Sequence, residues 1–155
     1  DIKVMLREQI KSALKEAMIA KNTHKVSTLR LIMAALKDRD IAARTQDKPD
    51  GVGEDEILAM LQSMIKQRRD SITMYENGGR LELAEQEAAE ITIIEGFLPK
   101  QLNEDEIAKV VDEIITELGA TNLKDMGATM KVLRDRYAGQ MDFGKASAII
   151  KERLA

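Results

Sequence analysis

The residues able to do chemistry are few and unevenly spread. His24 is the lone imidazole in 155 residues, and cysteine is absent. That inventory excludes thiol nucleophiles, disulfides, zinc ribbons, iron–sulfur clusters and multi-histidine metal sites. No Walker loop, dinucleotide fingerprint or zinc-protease motif occurs. His24 stands between Thr23 and Lys25 at the expected start of a helix, where a capping or surface role suits it. Glu82, Glu85, Glu87 and Glu90 could hold a hard cation or act as acid and base, but neither a histidine nor a calcium loop accompanies them. They read as a solvated helix face. No catalytic residue, metal ligand or cofactor is assigned, and the chain is not expected to catalyse a reaction by itself.

What remains is charge. Residues 1–45 carry ten basic against five acidic side chains, residues 46–119 seven against eighteen, and residues 120–155 seven against four. A chain of net charge −3 therefore has basic ends around an acidic middle, and can still turn a cationic face to a polyanion. Lys131, Arg134, Lys145 and Lys151, gathered on two short helices, form the preferred phosphate-contacting set. Only Tyr75, Phe97, Tyr137 and Phe143 are available for stacking, so single-strand base stacking is not expected, and recognition of a polyanion by shape and backbone remains. Lys3, Arg7, Lys11 and Lys15 recur every four residues and form an alternative basic face, and the second helix separately carries Arg30, Lys37 and Arg44 at heptad spacing. Either set is also what an ordinary solvated helix face looks like. The run Lys66-Gln67-Arg68-Arg69-Asp70 is expected to pair with the glutamates that follow it.

The elements that must position these groups are helices. Ala, Leu, Ile, Met, Glu, Lys, Arg and Gln dominate, and β-branched and aromatic residues never alternate with polar ones over a strand's length. The first helix is expected over about 2–21, burying Ile2, Leu6, Ile10, Ala13, Leu14 and Ala17. A second, from about His24 to Arg44, turns Val26, Leu29, Ile32, Met33, Leu36 and Ile41 inward. Residues 45–53, with Pro49, Asp50, Gly51 and Gly53, read as a mobile loop. A third helix opens on Glu54, Asp55 and Glu56, which suit its positive end, and stops at Gly78 and Gly79. A fourth spans about 81–97 with Ala84, Ala88, Ile91, Ile94 and Leu98 on one side, ended by Pro99. Asn103 and Glu106 have capping-box spacing for a fifth helix that buries Ile107, Val110, Val111, Ile114 and Leu118. A sixth covers about 123–137, and a seventh follows Asp142 as N-cap.

The expected fold is therefore all-α and multihelical, with a long-helix subdomain over 1–98 and a compact three-helix subdomain over 99–155. No stretch approaches the ~18 apolar residues of a membrane span. With no cysteine and no leader-like start, the expectation is a cytoplasmic protein without a membrane partner.

A resemblance adds to this. Leu29-Arg30-Leu31 and Ala34-Ala35-Leu36 come first, followed by Lys66-Gln67-Arg68-Arg69-Asp70-Ser71 and Gly79-Arg80-Leu81-Glu82-Leu83-Ala84. Then come Glu87-Ala88-Ala89-Glu90-Ile91, Phe97-Leu98-Pro99-Lys100-Gln101-Leu102, Asp125-Met126-Gly127 and Gly139-Gln140-Met141-Asp142. In this order and spacing the chain resembles the GatB/YqeY family of small free-standing bacterial proteins over essentially its whole length. The family's last portion is similar to the tail domain of the B subunit of the glutamine-dependent tRNA amidotransferase, a carbon–nitrogen ligase with glutamine as amido-nitrogen donor. In that enzyme the tail is associated with holding tRNA, whereas side-chain activation and ammonia delivery belong to other domains. Nothing in this chain resembles the ATP-binding, metal-binding or amidase parts. The resemblance thus implies a non-catalytic tRNA-binding or accessory module, with tRNA-like helical RNA or the tRNA-charging machinery as partner and no DNA expected. A module that docks a protein through its acidic middle and methionine-rich helices is the alternative.

Overall fold

The computed structural model describes residues 5–155, and every regular element among them is helical. The chain divides into two compact units, one ending at Leu98 and the other beginning at Pro99.

The first unit holds α1 (Leu6–Ile19), α2 (Thr23–Arg44), α3 (Glu54–Asn77) and α4 (Leu81–Glu95). Helix α3 packs along α4 and α1 along α2, and α2 also touches α3 and α4. Ile10, Leu29, Ile32, Ile57, Leu61 and Ile94 are sealed at the centre of this core. The turn between α1 and α2 is built by Lys21, held left-handed at φ 57°, with the Asn22 amide donating back to the Ala17 carbonyl at 3.0 Å. Asn22 then caps α2, its side chain accepting from the Lys25 amide at 3.1 Å. Gly79, at φ 73°, turns α3 into α4 in the same manner, the Arg80 amide donating to the Tyr75 carbonyl.

The second unit holds α5 (Glu104–Leu118), α6 (Met126–Tyr137) and α7 (Phe143–Leu154), with a 3₁₀ turn Leu123–Asp125 leading into α6. Each of the three helices packs on the other two around Ile107, Val111, Leu133, Met141, Ala146 and Ile150. Both bonds of the Asn103–Glu106 capping box form. Asp142 accepts from the amides of Gly144 and Lys145.

Several expectations need correction. Helix α4 ends at Glu95, before Pro99, because its last amides tighten into three-residue steps at Gly96, Phe97 and Leu98. Ile41, Ala88 and Leu118 lie exposed. Each continues its helix's apolar pattern at a place where no neighbouring helix covers it. Met60 and Met141 take buried places instead. Leu123 begins a 3₁₀ turn rather than α6, since Asn122 and Asp125 close a capping box of their own. The loop over residues 45–53 is tethered rather than loose, because the Val52 amide donates to Asp40 and Lys48 pairs with Glu56 at 2.9 Å.

Candidate nucleic-acid interface

Three residues join α1 to α2, so the two helices run antiparallel and their basic ridges face each other across one seam. The groove along it has a volume of about 440 Å³. Arg7 and Lys11 line it from α1, and Lys37, Asp40, Ile41 and Arg44 from α2. Arg7 reaches Asp40 with both terminal nitrogens, at 2.5 and 2.9 Å, and also donates to the Val52 carbonyl at 2.9 Å. The Arg7 guanidinium holds the Asp40 carboxyl below the usual carboxylate range, helped by the Val52 amide and the charge of Arg44, while burial works the other way. Lys11 lies 3.8 Å from Glu8. Lys15, Lys37 and Arg44 form no ion pair with any described residue. Of the alternative face, Lys3 falls outside the described residues, Arg7 is committed to Asp40, and Lys11 and Lys15 remain on the exposed side of α1.

The C-terminal set is less united. Lys131 and Arg134 lie three apart on α6 and are exposed, with the Arg134 guanidinium 5.9 Å from the centre of the Phe143 ring. Lys145 sits 3.2 Å from Glu104 of α5. Lys151 is exposed, but six residues from Lys145, which places it about 240° further around α7. Arg136 makes a forked pair with Glu117 at 2.8 and 2.7 Å, and Arg153 meets Asp112 at 2.9 Å. The acidic face of α5 therefore engages three cations of this unit.

The remaining candidates separate. Arg68 takes Glu90 at 2.9 Å and Glu87 at 3.9 Å, Arg69 takes Glu95 at 3.3 Å, and Arg80 takes Glu82, so the pairing expected for the third basic run is present. Glu85 points to solvent. Among the described residues no group of three or more His, Asp or Glu side chains could hold a metal ion. His24 is exposed at the start of α2, and lines a hollow with Asn22, Lys25 and Phe97. Sequence reasoning missed the Arg7–Asp40 pair and the meeting of Lys37 and Arg44 with α1. The usable signal was a four-residue basic period followed, after a turn too short for anything but an antiparallel hairpin, by a seven-residue one.

Among known proteins, the profile of a family described as YqeY-like protein matches residues 7–154. The "altered inheritance of mitochondria protein 41, mitochondrial" of Lachancea thermotolerans is 33% identical over 151 residues, covering 94% of this chain and 76% of that protein. The protein of the same name from Clavispora lusitaniae is 31% identical over 152 residues, with 96% and 85% covered. These yeast relatives are named as mitochondrial, which overturns the expectation of a cytoplasmic location and the bacterial setting attached to the resemblance. That expectation rested on missing cysteine and on the lack of a secretory-type apolar start, neither of which distinguishes one reducing compartment from another.

Proposed function

This chain belongs to the YqeY-like family, and on that footing we propose that it is a non-catalytic accessory module holding helical RNA of the tRNA class by its phosphate backbone. The observation that carries the reading is the α1–α2 seam, where Lys11, Lys37 and Arg44 line one groove around an Arg7 already braced by Asp40. Cations with no carboxylate partner can neutralise phosphates and release counterions, whereas those already paired must first give up a partner. Lys37 and Arg44 meet this condition, as do Lys131, Arg134 and Lys151, so the seam is preferred because its cations converge on one groove, whereas Lys145 is paired with Glu104 and lies about 240° around α7 from Lys151. The resemblance of the family's last portion to an amidotransferase tail supports tRNA as the class of RNA, with carbon–nitrogen ligation left to a partner. The relatives' names support a mitochondrial setting.

The test compares two charge reversals, Lys11, Lys37 and Arg44 to Glu, and Lys131, Arg134, Lys145 and Lys151 to Glu, in tRNA binding across a salt series. The seam variant should lose affinity more than tenfold and flatten the log–log salt slope by about 3, near 0.9 per phosphate for duplex nucleic acid. Loss confined to the second variant would move the RNA to the C-terminal unit. No tRNA binding by the native chain would leave protein docking as the reading. Purified chain given glutamine, ATP, magnesium and Glu-tRNA should form no Gln-tRNA.

A further inference from the structure

We propose that the turn end of the α1–α2 hairpin docks on the surface of an anionic lipid bilayer. Three large apolar side chains stand out there: Met18 is 51% exposed, Ile19 73% and Leu31 45%. Met18 and Leu31, with Val26, line a shallow hollow of about 750 Å³ that Lys21 and Arg30 also line. Apolar groups exposed together need a covering partner more than scattered ones do. The charge around them names its sign. Residues 17–36 contain no Asp or Glu, but they include Lys21, Lys25 and Arg30. The nearest carboxylate in α1, Glu16, projects about 160° around the helix from Met18 and about 60° from Ile19, where Lys15, about 40° from Ile19 on its other side, offsets it. On α4, which packs against α2, Glu95 is taken by Arg69.

An apolar tip ringed by Lys and Arg suits the headgroup boundary, where methionine, isoleucine and leucine enter the acyl edge and the cations meet lipid phosphates. The left-handed Lys21 and the Asn22 cap hold the turn in one shape, so Met18 and Leu31, which line one hollow, are presented together before contact, with Ile19 exposed next to Met18 in the chain. Among the described residues no helix is long and apolar enough to cross a membrane, which makes this attachment to a surface. The tip's cations differ from Lys11, Lys37 and Arg44, so the proposal does not rest on the RNA reading and fails separately from it.

The experiment uses the full chain with vesicles of phosphatidylcholine alone or mixed with phosphatidylglycerol. Because the sequence has no tryptophan, Ile19→Trp places a single fluorophore at the tip. Its emission should shift to the blue on the anionic vesicles and stay put on the neutral ones. The same probe at Met74, 74% exposed on α3, should not move with either. In sedimentation, Met18, Ile19 and Leu31 to Ser should lower partitioning at least about tenfold, as should Lys21, Lys25 and Arg30 to Glu, while the seam reversal of Lys11, Lys37 and Arg44 keeps it. Circular dichroism of each variant checks that these surface changes leave the helices intact. No binding to anionic vesicles, no shift at position 19, or partitioning untouched by the serine changes would overturn the proposal.

Discussion

Arg7 and Asp40 lie 33 residues apart and meet as a fork, both terminal nitrogens of the guanidinium on both oxygens of the carboxylate. The pair joins three segments, because Val52 gives its amide to Asp40 and its carbonyl accepts from Arg7. Two residues further on, Glu54 accepts the Leu6 amide with both carboxylate oxygens, at 3.2 and 3.1 Å, and so caps α1 from a distance. Met5, at the N-cap position of α1, makes no side-chain cap bond, so the start of α1 depends on the loop being held. One charged pair thus shapes the groove and anchors the helix that carries half of it.

Replacing Asp40 by Asn should cost about 2 kcal/mol near neutral pH, the scale of losing charge-assisted bonds in a half-buried place. The sign of its pH dependence follows from the lowered carboxyl of Asp40. A folded-state value below the unfolded one means stability that is present above the ordinary carboxylate range and is lost as pH falls through the lowered value. Urea unfolding of native chain and variant should therefore keep its gap from neutral down to the ordinary carboxylate range and converge as pH falls below it. A gap that persists unchanged below that range would mean that the carboxylate charge is not what Arg7 uses.

The caps were legible in the sequence and the fork was not, for one physical reason. Asn103 with Glu106 and Asp142 with Lys145 each act over three residues, and side-chain chemistry alone settles such short loops. The same holds for the helix faces on Ile10, Leu61 and Val111, where period and burial agree. Arg7 with Asp40, and Glu54 with Leu6, need the packing of α1, α2 and α3 to bring them together, and no local pattern carries that. Ile41 and Leu118 mislead for the converse reason: their apolar character fits the helical period, but no neighbouring helix reaches that far. On the candidate site, the basic ridges were readable and their meeting across a seam was not.

Arg68 sits between two carboxylates and serves them unequally, with Glu90 hydrogen-bonded at 2.9 Å and Glu87 left at 3.9 Å. Burial first, and then the charge of Glu90, push the Glu87 carboxyl above its ordinary value against the pull of Arg68. The folded chain then holds that proton more tightly than the unfolded one. Its contribution is fully present below the ordinary glutamate value and is lost as pH rises through the raised one. Glu87→Gln should accordingly stabilise the chain by about 0.5 kcal/mol near neutral pH, and by nothing in acid. Glu90→Gln breaks the charge-assisted bond and should cost about 1 to 2 kcal/mol at neutral pH. Thermal melts at the two pH values separate these cases, and equal effects of the two substitutions would contradict the asymmetric geometry.

Gly51 and Gly79 both hold positive φ, at 86° and 73°, but only one of them borders the fork. A methyl group at Gly51 would run into the Asp40 carboxylate, whereas one at Gly79 meets nothing within 4 Å. Gly79→Ala should thus cost only the left-handed backbone penalty, about 1 to 2 kcal/mol. Gly51→Ala carries that penalty and also displaces Asp40 from Arg7, so its cost should be larger by about 1 kcal/mol or more. In an Asp40→Ala background the obstacle is gone, and the Gly51→Ala cost should fall to that of Gly79→Ala, giving a coupling energy that a double-mutant cycle reads directly. Additive effects in that cycle would show that the loop does not depend on Asp40, and the account of how the groove is held would have to be abandoned.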